Sequence, residues 1–162
     1  MDHVDFVTQQ WEKERPDLDV SAMAVIGRVG RLAQAYQQGM QKTWARYDLN
    51  GAKFDVLATL RRSGAPYRLS PGDLLRSTMV SSGTMTNRID RLEAAGLVSR
   101  SVNPDDSRSF LIGLTDKGLA LIDEVATAHV QTQAELLTGL TQKEQAALIS
   151  LLSKALQVAS DD

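Results

Sequence analysis
The sequence predicts a mainly α-helical chain with one small β-hairpin near its middle. Three observations carry that expectation. Long stretches towards both ends repeat apolar residues every three or four positions. Two short β-patterned runs, LVSRSV and SFLIGL, flank the polar turn NPDDSR. Capping or turn residues stand at the boundaries of the helical patterns.

In order, residues 3–14 (HVDFVTQQWEKE) form a short helix closed by Arg15-Pro16, because the residue before a proline is pushed out of helical geometry. Residues 17–20 link it to a long helix from Ser21 to about Tyr47, with Val25, Val29, Leu32, Tyr36 and Met40 in one apolar stripe. Asn50-Gly51 ends that section. Residues 52–62 are apolar on more than one side through Phe54, Val56, Leu57 and Leu60, which places their helix centrally. Ser63-Gly64-Ala65-Pro66 turns the chain. Ser70 caps a short helix whose first position is Pro71, where a missing amide costs nothing; it fades at Ser77-Thr78. Ser81 or Ser82 caps the next helix, which runs to about Ala95 and stops at Gly96. After the hairpin, Thr115 caps a helix from about Asp116 to Leu137. Gly139 breaks it, and Thr141 with Glu144 forms a capping box for a last helix carrying Leu148, Ile149, Leu152, Ala155 and Leu156 on one face. Helix, turn, helix, hairpin is the layout of a winged helix-turn-helix, which lays its second helix in the DNA major groove.

Composition narrows the function classes. At 162 residues, 43% hydrophobic and 23% charged, the chain can bury a core as a single domain. Its expected sections are N-terminal helices over 1–48, a DNA-binding lobe over 50–115 and C-terminal helices over 116–160. The absence of cysteine excludes disulfides, thiolate metal sites and thiol redox sensing, and two distant histidines make a poor zinc site. No apolar run reaches membrane-spanning length, so no membrane partner and a cytoplasmic location are expected. No G-x-S-x-G, phosphate loop or Cys/His pair is present, and Asp116, Asp123 and Glu124 read as a solvated helix face; an enzyme is not expected. The net charge of −2 is unevenly spread. Residues 61–108 hold eight arginines against five carboxylates, a local +3, and every cation there is the residue suited to bidentate phosphate and base contacts. The long terminal stripes have too little remaining chain to cover them, which predicts a two-fold homodimer.

The segments SSGTMTNRIDRLEAAGLVSR and NPDDSRSFLIGLTDKG resemble the MarR family of bacterial transcriptional regulators, and the resemblance extends from about residue 20 to 157. It implies a dimer on a pseudo-palindromic operator, usually a repressor, released by a small ligand. Family wings commonly read D-P-x-D-R-R; here Asn103 and Ser107 replace the first acid and the first arginine. Asp106 and Arg108 match the pair in which the arginine enters the minor groove and the aspartate orients it. The N-terminal WEKERPDLD is similar to the extra helix of the urate-responsive PecS-type branch. That likeness implies a ligand set of Trp11, Asp55, Arg88 and Arg100, with urate or a similar aromatic anion as effector and no cofactor.

The side-chain directions fit such a reading. At about 100° per residue, Met85, Ile89 and Leu92 form the buried side of the second helix. Ser81, Ser82, Thr84, Thr86, Asn87 and Arg91, with Asp106 and Arg108 on the wing, are the candidate DNA contacts. Gly83 also faces outward. Arg88 borders the buried stripe, and Arg100 shares a strand face with Val98 and Val102. Two inward arginines need an anion or a carboxylate, for which Asp55 is the candidate without ligand. Plainer roles stand beside these. Trp11 serves equally as a dimer anchor, Asp55 with Thr59 and Arg62 as a solvated stripe, and Arg88 as a salt-bridge or phosphate contact. A winged-helix protein-interaction module, or a regulator answering a different phenolic or aromatic ligand, is the alternative function.

Overall fold
The computed structural model describes residues 1–78 and 85–160. Its elements are α1 (His3–Glu14), α2 (Ser21–Ala45), α3 (Gly51–Arg62), β1 (Arg68–Leu69), α4 (Pro71–Ser77), α5 (Met85–Ala94), β2 (Val98–Asn103), β3 (Asp106–Leu114), α6 (Asp116–Leu136) and α7 (Gln142–Ser160). The mainly α class with a small antiparallel sheet is therefore as the sequence predicts. The chain divides into two compact units, Met1–Gly39 and Met40–Asp162.

In the first unit, α1 starts with a reciprocal cap. The Asp2 carboxylate accepts the Val4 and Asp5 amides at 2.7 and 3.0 Å, and the Asp5 carboxylate accepts the Asp2 amide at 2.7 Å. Arg28 of α2 then pairs with Asp2 at 2.9 Å and with Asp5. Val4 is buried against Gly27, where an added Cβ would sit 3.2 Å from a Val4 methyl. The glycine lets the two helices approach closely.

The second unit gathers its elements around one apolar core. Val56, Leu57 and Leu60 of α3, Leu74 of α4, Ile89 and Leu92 of α5, Val98 of β2, Ile112 of β3, and Ile122 and Val125 of α6 are all buried. The start of α6 thus belongs to the same core as the expected DNA lobe. Arg61 of α3 bridges Asp123 of α6 at 2.6 Å over that junction. The expected caps at Ser70 and Thr115 are in place, accepting the Asp73 amide at 3.1 Å and the Gly118 amide at 3.0 Å, and Asn50, read from the sequence only as the end of the preceding section, also caps α3 by accepting the Lys53 amide at 2.9 Å. Thr141 and Glu144 cap each other's amides at the start of α7.

Two features depart from the expectation. The sheet has three strands in the order β1-β3-β2, because Arg68 and Leu69 pair with Gly113 and Ile112. The third strand is two residues long, too short to show an alternation pattern. The hairpin turn is also tighter than NPDDSR suggested. Strand β3 begins at Asp106, opposite Asn103, after a register shift at Val102/Asn103.

Trp44 at the end of α2, Phe54 of α3 and His129 of α6 form an aromatic cluster, with Trp44 stacked 5.2 Å from Phe54 and 5.5 Å from His129. Burial lowers the His129 pKa below its ordinary 6.5, and its Nδ1 is buried without a hydrogen-bond partner.

Gly118 packs its α-carbon against the backbone of Leu97, where an added Cβ would overlap the Leu97 carbonyl oxygen. Gly118→Ala is expected to cost about 2 kcal/mol or more, read as a lower urea midpoint at unchanged slope. For His129 the folded pKa lies below the unfolded one, so its contribution is present above about pH 6.5 and lost as the pH falls towards the folded value. His129→Phe should therefore flatten the stability-versus-pH curve just below pH 6.5, measured by denaturant titration at several pH values.

Candidate nucleic-acid interface and effector site
The short helix α4 precedes α5, and its C-terminal Ser77 carbonyl accepts a hydrogen bond from the Arg62 guanidinium of α3. On α5, Met85, Ile89 and Leu92 are buried, while Thr86, Asn87 and Arg91 are exposed. The helix turns its polar side outward because its apolar side is taken up by the core. Ser81, Ser82 and Thr84, with Gly83 and the expected N-cap, lie outside the described residues. Gly96 ends the helix at a φ of +70°, a conformation glycine adopts without steric cost, and the Gly96 and Leu97 amides close on the Glu93 and Leu92 carbonyls at 2.8 and 2.9 Å.

At the wing tip, Asn103 folds into the turn. Its Oδ1 accepts the Asp105 amide at 3.1 Å and its Nδ2 donates to Ser109 Oγ at 3.0 Å. The Oδ1 bond is one that a turn-forming aspartate would also accept, while the Nδ2 donation to Ser109 is one that a carboxylate could not make. Asp106 Oδ1 accepts the backbone amide of Arg108 at 3.0 Å. The aspartate therefore orients the arginine through the main chain, leaving the exposed guanidinium clear.

The eight arginines divide sharply. Arg61, Arg76 and Arg100 meet carboxylates: Asp123, Asp73, and the pair Asp90 and Glu93. Among the described residues Arg62, Arg68, Arg88, Arg91 and Arg108 have no ion-pair partner, and of these only Arg88 is not exposed. The outward cations are thus those left over after the internal pairs are made.

Arg88 sits half-buried on α5, and its Nη1 is buried without a hydrogen-bond partner among the described residues. That is an energetically open position for a guanidinium nitrogen. Arg100 on β2 is 30% exposed. Its Nη1 donates to Glu93 and its Nη2 to Asp90, its backbone amide reaches Glu93 Oε1 at 3.2 Å, and the guanidinium stands 5.8 Å from the Phe110 ring centre. Hydrogen bonding to Asp90 leads the causes that raise its pKa above the ordinary value. Arg100 also lines a cleft of about 260 Å³ with Pro71 and Leu75 of α4, Met85 and Ile89 of α5, and Phe110 of β3. Asp55 is half-buried on α3 and has interactions of its own. Thr59, one turn on, is 1% exposed, so this face of α3 is not the solvated stripe of the plainer reading. Trp11 lies on α1 in the first unit and is 42% exposed.

The profile of the MarR family matches residues 47–109. Over 148 residues the chain is 42% identical to the HTH-type transcriptional regulator PecS of Dickeya dadantii, an overlap that covers 91% of this chain and 89% of that one. The chain belongs to the MarR family.

Among solved structures, the fold is similar to that of BpsR from Bordetella bronchiseptica, whose DNA binding is regulated by 6-hydroxynicotinic acid (TM-score 0.72, 31% identity, 85% of this chain and 94% of that one). It is also similar to a mutant MarR from E. coli complexed with operator DNA (TM-score 0.72, 28% identity, 90% and 97%). The protein is thus a PecS-type MarR regulator, a DNA-binding transcription factor and not an enzyme. Within this MarR fold, the sequence had pointed to Asp55 as the carboxylate facing the inward arginines. The carboxylates on Arg100 are those of Asp90 and Glu93. Their spacing of three on one helix puts both on a common side. The alternation that groups Val98, Arg100 and Val102 on one strand face does not carry a common burial. Val98 is buried while Val102 is 68% exposed, because the strand leaves the core towards the wing tip.

The two side-chain bonds of Asn103 are expected to hold the wing turn. Asn103→Ala should speed amide hydrogen exchange at Asp105 and leave the Arg108 amide, held by Asp106, unchanged.

Proposed function
We propose that this MarR regulator is a cytoplasmic repressor that binds a pseudo-palindromic operator as a two-fold homodimer and is released by a flat aromatic anion such as urate. One observation carries the proposal. Helix α5 turns Thr86, Asn87 and Arg91 outward, while half-buried Arg88 on the same helix keeps a buried nitrogen without a partner. A DNA-reading surface and an anion-binding group therefore share one rigid element. Asn87 and Arg91 are suited to base edges and phosphates, and Arg108 on the wing to the minor groove. Ser81, Ser82 and Thr84 are proposed contacts at the approach to α5, and Asp106 positions Arg108. Trp11, Asp55, Arg88 and Arg100 are the proposed effector set, with the tryptophan supplying a stacking surface.

Dimerisation is supported by apolar surface left open in the single chain. Val25, Val29 and Leu32 of α2 are exposed, as are Ile149, Leu152 and Leu156 of α7. The two α5 helices of a dimer would stand about 34 Å apart to read successive major grooves. An effector can release the operator only by binding more tightly to a state in which that spacing or orientation is lost. Apart from Ala94 at its C-terminal end, the exposed side chains of α5 are polar, which disfavours the protein-interaction alternative. Because BpsR answers 6-hydroxynicotinic acid, a hydroxylated heteroaromatic acid is the second candidate effector.

Fluorescence anisotropy on duplex DNA from the protein's own upstream region is the test. Tight binding released by urate, with Arg88→Ala bound but insensitive to urate, is expected; tight binding untouched by urate would discard this effector. Arg108→Ala should weaken DNA binding, lower the salt slope by about 1 and leave urate affinity intact.

A further inference from the structure
One arginine that the effector reading assigns to the anion already spends two of its five N–H donors on carboxylates. Both terminal nitrogens of Arg100 are engaged, Nη1 by Glu93 and Nη2 by Asp90. These form the end of the guanidinium fork that grips a planar anion with two parallel bonds. Both carboxylates stand on α5, one helical turn apart, whereas Arg100 is on β2 and its neighbour Phe110 on β3. The cluster ties the DNA-reading helix to both strands of the wing. It also places two negative charges on one positive charge, so an incoming anion meets a local excess of carboxylate.

We propose that Asp90 and Glu93 form a latch on Arg100 that sets the effector concentration at which this regulator releases DNA. The latch rests on the effector reading above. An anion gripping the Nη1/Nη2 end of the fork competes with the two carboxylates for it, and displacing either one removes an electrostatic tie between α5 and the wing strands. Effector binding and the loosening of this helix–wing tie are then coupled. The three side chains are partly open to solvent, at 30% for Arg100, 38% for Glu93 and 57% for Asp90. Each pair is therefore of the modest strength a reversible latch requires. Glu93 makes the larger contribution, because it holds both the guanidinium and the Arg100 backbone amide. Asp90 and Glu93 are positioning residues: they do not touch the effector and act through the availability of Arg100.

The test compares urate binding, urate-driven operator release and thermal stability for the full-length wild type, Glu93→Gln, Asp90→Asn and Glu93→Asp. The amide variants keep an acceptor oxygen and lose the charge. Each should bind urate about two- to fivefold more tightly and release operator at a correspondingly lower urate concentration, with the melting temperature little changed. Glu93→Asp, which restores the charge, should return towards wild type. A purely structural role would lower stability and weaken urate binding together, so tightening is the distinguishing result. Wild type that binds urate with an affinity unchanged in Glu93→Gln and Asp90→Asn would overturn the latch alone. Absence of urate binding in every variant would overturn the latch and the effector reading together.

Discussion

The rotation of α5 about its own axis is the constraint on which the rest of the molecule's chemistry depends. Met85, Ile89 and Leu92 must enter the core shared by α3, α6 and the sheet, and burying each such side chain is worth about 1.5–3 kcal/mol. No other rotation buries all three. Once it is set, Asn87 and Arg91 have no choice but to face outward, and Arg88 falls at the boundary between core and surface. The apolar residues of the helix thus decide where its polar residues act.

That core also joins the wing and α6 to α5 by direct packing. Gly118 lets the first turn of α6 lie directly on the Leu97 backbone, at the junction where α5 gives way to β2. Ile122 and Val125 continue the contact inward. A displacement of α5 in this tightly packed region must be shared by its neighbours, because interiors packed at crystal density do not deform smoothly.

Electrostatics adds specificity to this frame. The regional surplus of arginine is modest, yet the structure concentrates its effect by pairing Arg61, Arg76 and Arg100 internally and leaving Arg91 and Arg108 exposed. Charge counting over a segment cannot distinguish those two groups. The difference lies in which arginine has a carboxylate within reach after folding.

Local interactions were legible in the sequence because their partners lie within about one helical turn. The caps by Ser70, Thr115 and the Thr141–Glu144 box, the stop at Gly96 and the buried stripe of α5 all belong to this class. The substitution of Asn103 in the wing was visible, but its hydrogen bonds to Asp105 and Ser109 were not. Contacts between elements needed the folded chain. The two-residue strand β1 exists only because β3 offers it an edge. Arg61 meets Asp123 across 62 positions, and Arg100 reaches back 7 and 10 positions from a strand to a helix. The sequence by itself determined the order of helices, the hairpin and the MarR resemblance, since periodicity and capping are properties of neighbouring residues. Tertiary structure alone decided which of these arginines pair with carboxylates of the chain and which, among the described residues, do not, because a charge pair is set by distance in space.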